Sequence, residues 1–389
     1  MSAVLGTYNR RDVSFSKGKG CYLYSTTGDE YLDFVSGIAV NSLGHCHKHL
    51  VETIQKQAEK LWHVSNAFII PEQEKLAQRL VDNTFADYVV FMNSGAEATE
   101  ASIKIARKYF YEIGQPEKNR IITFTGAFHG RTLASLFAAN NPEHTKGFGP
   151  KVDGFDQVPF ADHDALKKAI NKHTAAIMVE TVFGEGGVKV LPKECLIGLK
   201  KLCEEKDLLL ILDEVQCGIG RTGKFFAFDW AGIEPDIVPI AKGIGGGFPI
   251  GACLVNKKAS IGMKAGTHGS TFGGNPLAMS VGNAVLDIIL EKGFLEHVQN
   301  VGNYFEEELK KLQVKYPNII LEVRGKGLLR GIKLKEDNAK FLDYLFKNKM
   351  LGVKAAENVI RLLPPLIVTK KEIDKAIIIL EKTAKEFTS

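Results

Sequence analysis

Through the middle of the chain, short apolar runs alternate with longer stretches in which apolar positions recur every three or four residues. The runs Tyr88–Met92, Arg120–Phe124, Ala175–Glu180, Leu208–Asp213, Asp236–Ala241 and Ile250–Val255 predict strands. The stretches Glu72–Asn83, Glu97–Tyr111, Asp164–Lys172 and Lys193–Lys206 predict helices between them. This β-α-β rhythm predicts an α/β fold built on a mostly parallel, helix-covered sheet. The first 49 residues read differently, as short strands with glycine turns at Lys17–Gly20 and Ser25–Asp29. The last hundred predict helices at Phe294–Leu312 and Lys371–Phe387, with β-like segments at Ile319–Arg324, Leu328–Lys333 and Val359–Leu363. The expected organisation is a large domain over 50–285 and a smaller α+β domain built from 1–49 and 286–389. No low-complexity segment and no internal repeat interrupts it.

Composition narrows the function classes. With 45% hydrophobic and 24% charged residues, the 389-residue chain can bury a substantial core and is not disordered. The net charge of +5 is spread along the sequence, which argues against nucleic acid and membrane surfaces as partners. No apolar run approaches the roughly 20 residues that span a bilayer. Six cysteines form no C-x-x-C pair, and Met1–Arg11 lacks the apolar core of a signal peptide, so a reducing, cytoplasmic location is expected.

Three segments carry candidate chemistry. In Phe91–Glu100, a strand gives way to a helix with Ser94 at the N-cap and Glu97 three residues on. That leaves the Gly95 and Ala96 amides beside a positive helix end, an anion cradle that an ordinary capping box would resemble. In Leu208–Gln216, an apolar strand delivers Asp213 at its carboxyl end, where open α/β sheets bind ligands; a metal ligand and a plain N-cap aspartate are the competing readings. In Pro239–Gly251, Lys242 ends another apolar strand and a glycine run follows. A crevice there would desolvate the amine, lower its pKa and make it nucleophilic; the alternative is a solvent-facing lysine on a flexible loop.

Together the three supply what pyridoxal phosphate requires: amide donors for its phosphate, an acid to keep the pyridine nitrogen protonated, and an amine to condense with its aldehyde. Over nearly its whole length, the chain resembles the class III (subgroup II) pyridoxal-phosphate aminotransferases. The matching segments are Thr7–Arg10, Gly37–His47, Asn93–Ala98, Phe128–Thr132, Asp213–Gly223, the Lys242 segment and His268–Pro276.

The resemblance implies the aspartate-aminotransferase-like fold, type I, and assigns roles residue by residue. Lys242 is the catalytic lysine, and Gly95 and Ala96 hold the phosphate. Phe128 and Val215 pack on opposite faces of the ring, Asp213 pairs with the ring nitrogen, Gln216 contacts the phenolic oxygen, and Glu214 counts among the cofactor-binding residues. Thr271, with Ser270 nearby, reaches the neighbouring subunit's phosphate or substrate, which implies a homodimer with shared sites. Arg131 clamps a substrate carboxylate, while Glu185 neutralises Arg361 and releases it when a second carboxylate must be bound. The implied reaction converts N2-acetyl-L-ornithine and 2-oxoglutarate into N-acetyl-L-glutamate 5-semialdehyde and L-glutamate by a ping-pong route, within arginine biosynthesis.

A related aminotransferase acting on ornithine, succinylated ornithine or diaminopimelate, or 4-aminobutyrate is the alternative, although Ile38 stands where the resemblance to an ornithine enzyme calls for tyrosine. A non-catalytic cofactor-binding scaffold is a further alternative, against which an intact Asp213 and Lys242 argue. No metal site is expected at His45, Cys46, His47 and His49, whose alternate spacing sends their side chains in different directions. Val323–Gly331 reads as a turn and not as a nucleotide loop.

Overall fold

A seven-stranded sheet spans 88–255 of the computed structural model, which describes residues 3–387. Its order is Tyr88–Met92, Gly251–Val255, Ile237–Ile240, Leu209–Asp213, Thr174–Glu180, Arg120–Phe124 and Phe155–Val158. All neighbours pair in parallel except Gly251–Val255, which runs antiparallel to both of its partners. Thr174–Glu180, Leu209–Asp213 and Ile237–Ile240 are buried at every position, as parallel strands covered on both faces must be. The helix Gly95–Glu112 packs across Ile237–Ile240 and Gly251–Val255.

The termini build two further sheets. Phe15–Lys19, Tyr22–Ser25 and Glu30–Asp33 form a meander, and Met350–Leu351 joins it in parallel beside Leu32 and Asp33. Ile320–Lys326, Leu329–Leu334, Val359–Leu362 and Val353–Ala355 form an antiparallel sheet in which Arg361 lies opposite Gly331. A small ribbon, Val182–Phe183 with Lys189–Val190, leaves the central sheet just after Glu180.

Several elements differ from the sequence reading. Phe155–Val158 is an edge strand that no apolar run announces, because only its first and last residues are buried. Lys17–Lys19 belongs to a strand and not to a turn. Gly18 is needed there for close approach, since a Cβ would stand 2.6 Å from the Cβ of His45. The helices Pro276–Ile289 and Asn338–Lys347 were not anticipated. Among the described residues, no helix is long and apolar enough to cross a membrane.

Candidate active site

The parallel strands end on one side of the sheet, and their last residues open onto a cavity of about 490 Å³. Asp213 closes its strand next to Glu180, its register partner on the neighbouring strand, and Lys242 follows the strand on the other side. Gly95, Ala96, Phe128, Val215 and Gln216 line the same cavity. Residues 29 apart in sequence, Asp213 and Lys242, thus meet through strand adjacency alone.

Asp213 is buried and fully oriented. Its Oδ1 accepts from the Val215 amide at 3.0 Å, and its Oδ2 accepts from His129 Nδ1 at 2.8 Å. Burial works against a charge on His129, yet the hydrogen bond and charge of Asp213, with Glu180 beyond, hold its pKa above the ordinary value. Glu180 accepts from the Phe128 amide at 2.8 Å, and burial followed by the Asp213 charge pushes its own pKa up. The side chain flanking the cavity is thereby tied to the same pair of strand ends.

Lys242 occupies the left-handed region, with φ of 49°, uncommon for a residue with a side chain and sustained only where surrounding packing imposes it. Burial lowers its pKa, and the positive charge of Arg361 lowers it further, against the pull of Glu180 and Asp213. The glycines after it serve packing more than flexibility. A Cβ on Gly246 would meet Leu50 at 2.9 Å, and one on Gly251 would lie 2.3 Å from the Ser94 carbonyl oxygen.

The turn at Ser94 is a side-chain-capped helix start and an anion cradle. Ser94 Oγ accepts from the Glu97 amide at 3.3 Å, and Glu97 accepts in return from the Asn93 amide at 3.0 Å. The Gly95 and Ala96 amides remain in the first helical turn, where no intrahelical acceptor exists. Only glycine fits at position 95, because a Cβ would stand 2.6 Å from Val215 Cγ1. Free first-turn amides, an oriented carboxylate and a desolvated amine around one cavity fit the donors and acceptors of pyridoxal phosphate.

The two arginines have different surroundings. Arg131 is exposed at the cavity mouth, where it lies over the Phe128 ring and 3.1 Å from His144 Nε2. Burial and the Arg131 charge lower the His144 pKa, so the neutral ring accepts. Arg361 is buried. Its Nη2 donates to Glu185 Oε1 at 2.6 Å and to the Lys354 carbonyl at 3.2 Å, and its Nη1 donates to Gln216 Oε1 at 3.1 Å. Its Nε is buried without a partner in the structure. Glu185 sits in the turn of the Val182–Val190 ribbon between glycines that packing demands: a Cβ on Gly184 would fall 2.0 Å from Gln216 Oε1, and one on Gly186 2.5 Å from the Gly126 oxygen.

Five expected residues do not line this cavity: Glu185 and Arg361, which reach it through Gln216, and Glu214, Ser270 and Thr271. Glu214 points to the opposite side of the strand end from Asp213. There it accepts from Thr181 Oγ1 at 2.6 Å and from the amides of Ala227 and Phe228 at 2.9 and 3.2 Å. Its side chain thus supports the 214–228 segment. Ser270 accepts from Asn93 Nδ2 at 3.2 Å, and Thr271 is exposed on the loop beside it. Sequence reasoning missed His129 and Glu180. His129 follows Phe128 in a segment already singled out, and Glu180 ends a strand just as Asp213 does, which was an available signal. The four residues weighed as a metal cluster go separate ways: His45 bonds to Asp33 at 2.7 Å and His49 to Asp287 at 2.8 Å.

Residues 7–384 match the family Aminotransferase class-III. The chain is 56% identical over 386 residues to the acetylornithine aminotransferase of Agrobacterium fabrum, covering 99% of this chain and 97% of that protein. Among solved structures, it is similar to the acetylornithine aminotransferase of Elizabethkingia anophelis, with a TM-score of 0.87, 34% identity and coverage of 98% and 96%. It is also similar to the ornithine aminotransferase of Toxoplasma gondii ME49, with a TM-score of 0.95, 32% identity and coverage of 99% and 93%.

Proposed function

The chain belongs to the class-III aminotransferases, which work with pyridoxal 5'-phosphate, and from that premise we propose that it transfers the terminal amino group of N2-acetyl-L-ornithine to 2-oxoglutarate in arginine biosynthesis. The observation that carries the substrate choice is the unequal state of the two arginines. Arg131 rests against neutral partners at the mouth, while Arg361 is neutralised by Glu185. Acetylornithine presents one carboxylate far from its reacting amine; glutamate adds a second one beside it. A single free guanidinium suits the former, and a second that can be released suits the latter. The 56% identity to an acetylornithine enzyme supports the same reading.

In this reading the Gly95 and Ala96 amides hold the phosphate, and Phe128 and Val215 flank the ring. Bound there, the cofactor supplies an aldehyde that exchanges for an amine and a protonated ring that draws electrons from a breaking C–H bond. Asp213 holds the proton at the ring nitrogen, and His129 keeps that carboxylate aligned. Lys242 Nζ, its pKa lowered, anchors the aldehyde and then takes and returns the substrate proton. Arg131 grips the distal carboxylate. Glu185 turns away from Arg361 when glutamate or 2-oxoglutarate brings an α-carboxylate.

A homodimer with shared sites belongs to the same proposal. Asn66 Nδ2 donates to the Ser270 and Gly273 carbonyls, and His63 packs on Phe272, so the 62–69 and 270–273 segments form one surface. Trp62, Phe68, Ile69 and Phe272 stand largely exposed on it beside Thr271, and a cluster of exposed large apolar side chains suits contact with a partner subunit. The cytoplasmic assignment is supported by six unpaired cysteines. The division into 50–285 against 1–49 with 286–389 is likewise proposed, the second unit bringing Arg361 against Gln216 in the cavity wall. A panel of amino donors with 2-oxoglutarate tests the substrate: acetylornithine should give the highest kcat/KM, and a clear preference for free ornithine or 4-aminobutyrate would overturn the choice.

A further inference from the structure

Glu185 and Arg361 belong to different pieces of chain, and a second set of charges joins those pieces. Glu357 lies in the turn between Val353–Ala355 and Val359–Leu362, the hairpin that carries Arg361. Its carboxylate takes Lys189 Nζ on one oxygen and Arg324 Nη1 on the other, the latter at 2.8 Å. Lys189 is on the ribbon whose turn carries Glu185. Arg324 Nη1 also donates to the Gly187 carbonyl at 3.1 Å, and the Ala356 amide donates to the Glu185 carbonyl at 2.8 Å. Glu357 and Asn358 hold φ values of 57° and 61°, which side-chain-bearing residues adopt only where the surroundings require it. Partial burial would raise the Glu357 pKa, but Lys189 and Arg324 hold it below the ordinary carboxylate range.

We propose that Glu357 is a positioning residue for Glu185: through Lys189 and Arg324 it clamps the Glu185 turn onto the Arg361 hairpin, so that Glu185 changes partners by side-chain rotation over a fixed backbone. The inference rests on the partner exchange proposed above. Without the clamp, the turn loosens and Glu185 leaves Arg361 more readily. A donor with an α-amine loses nothing, whereas a terminal-amine donor meets an uncovered guanidinium.

The test uses the holoenzyme in single turnovers followed by cofactor absorbance, with N2-acetyl-L-ornithine and glutamate supplied separately. Glu357→Gln and Lys189→Met should slow the acetylornithine half-reaction roughly threefold or more and leave the glutamate half-reaction unchanged or faster. Lys189→Arg should restore the wild-type ratio. Glu185→Gln combined with Glu357→Gln should match Glu185→Gln alone, because the clamp acts only through Glu185. Calorimetric titration with glutarate, an unreactive dicarboxylate, should show equal or tighter binding to Glu357→Gln. Equal loss for both donors, or a double variant worse than Glu185→Gln, overturns the clamp while an asymmetric Glu185→Gln leaves the exchange standing. A symmetric Glu185→Gln overturns the exchange and the clamp with it. Should Glu357→Gln fail to fold, Lys189→Met decides.

Discussion

His129 Nδ1 lies 2.8 Å from Asp213 Oδ2, with both side chains almost completely shielded from solvent. A carboxylate can only accept, so the proton is on Nδ1 and the imidazole aligns the acid. His129→Asn should lower kcat by about tenfold, the worth of one hydrogen bond to a charged group, with a smaller change in KM. The pH signature has a definite sign. The folded pKa is raised above 6.5, so the contribution to stability is full below 6.5 and fades as pH rises through the raised value. Thermal unfolding of the wild type across that range should show this loss, and His129→Asn should lack it.

Among the described residues, Lys242 is the one lysine that lines the cavity, and its pKa is already lowered. Lys242→Ala should retain the fold and lose turnover by about 10³-fold or more, the scale of general acid–base catalysis. Steady-state rates with acetylornithine measure it, and near-wild-type kcat would remove Lys242 from the mechanism.

Arg131 presents a planar fork at the mouth. Lysine keeps the charge but not the paired donors, so Arg131→Lys should lose about tenfold or more in kcat/KM for acetylornithine. Unchanged kinetics would place the carboxylate elsewhere.

Glu185 neutralises Arg361 across a 2.6 Å hydrogen bond. Glu185→Gln should therefore slow the acetylornithine half-reaction by about tenfold and spare or speed that of glutamate. Rapid-mixing absorbance with each donor separates the two, and the ratio between them is the quantity that matters.

Glu214 is sealed in the interior, and burial pushes its pKa from 4.5 up to about 7. A carboxyl that binds its proton more tightly when folded stabilises the fold fully below pH 4.5, and that contribution is lost as pH rises to about 7, of order 3 kcal/mol in all. Glutamine does not titrate; it keeps one of the two oxygens that accept from backbone amides and loses the other, a cost in stability that does not vary with pH. Glu214→Gln should flatten the stability profile between about pH 5 and 7 in denaturant titrations, with little effect on KM. A profile as steep as wild type would assign the slope to other groups.

The placement of the chemistry is partly legible in the amino-acid sequence. Asp213 and Lys242 each end a run of buried aliphatic residues, and such runs are local signals that survive without knowledge of neighbours. The Ser94 turn was equally readable, because caps are set by residues three or four apart. Phe155–Val158 was not readable, since an edge strand needs only two buried residues to hold its place.

What the amino-acid sequence determined by itself is therefore most of the central strands and helices and the residue types waiting at strand ends, which follow from periodicities of two to four residues, together with the family, which rests on the resemblance of motif segments spread along the chain. What only the tertiary structure decided is which side of each strand end faces the cavity and which distant charges meet there. Asp213 and Glu214 are adjacent in sequence and point into different environments. His129 reaches Asp213 across 84 residues, and Glu185 reaches Arg361 across 176. Such pairs are joined by strand order and hairpin docking; they leave no mark in the local pattern, because the free energy that selects them comes from packing the whole sheet.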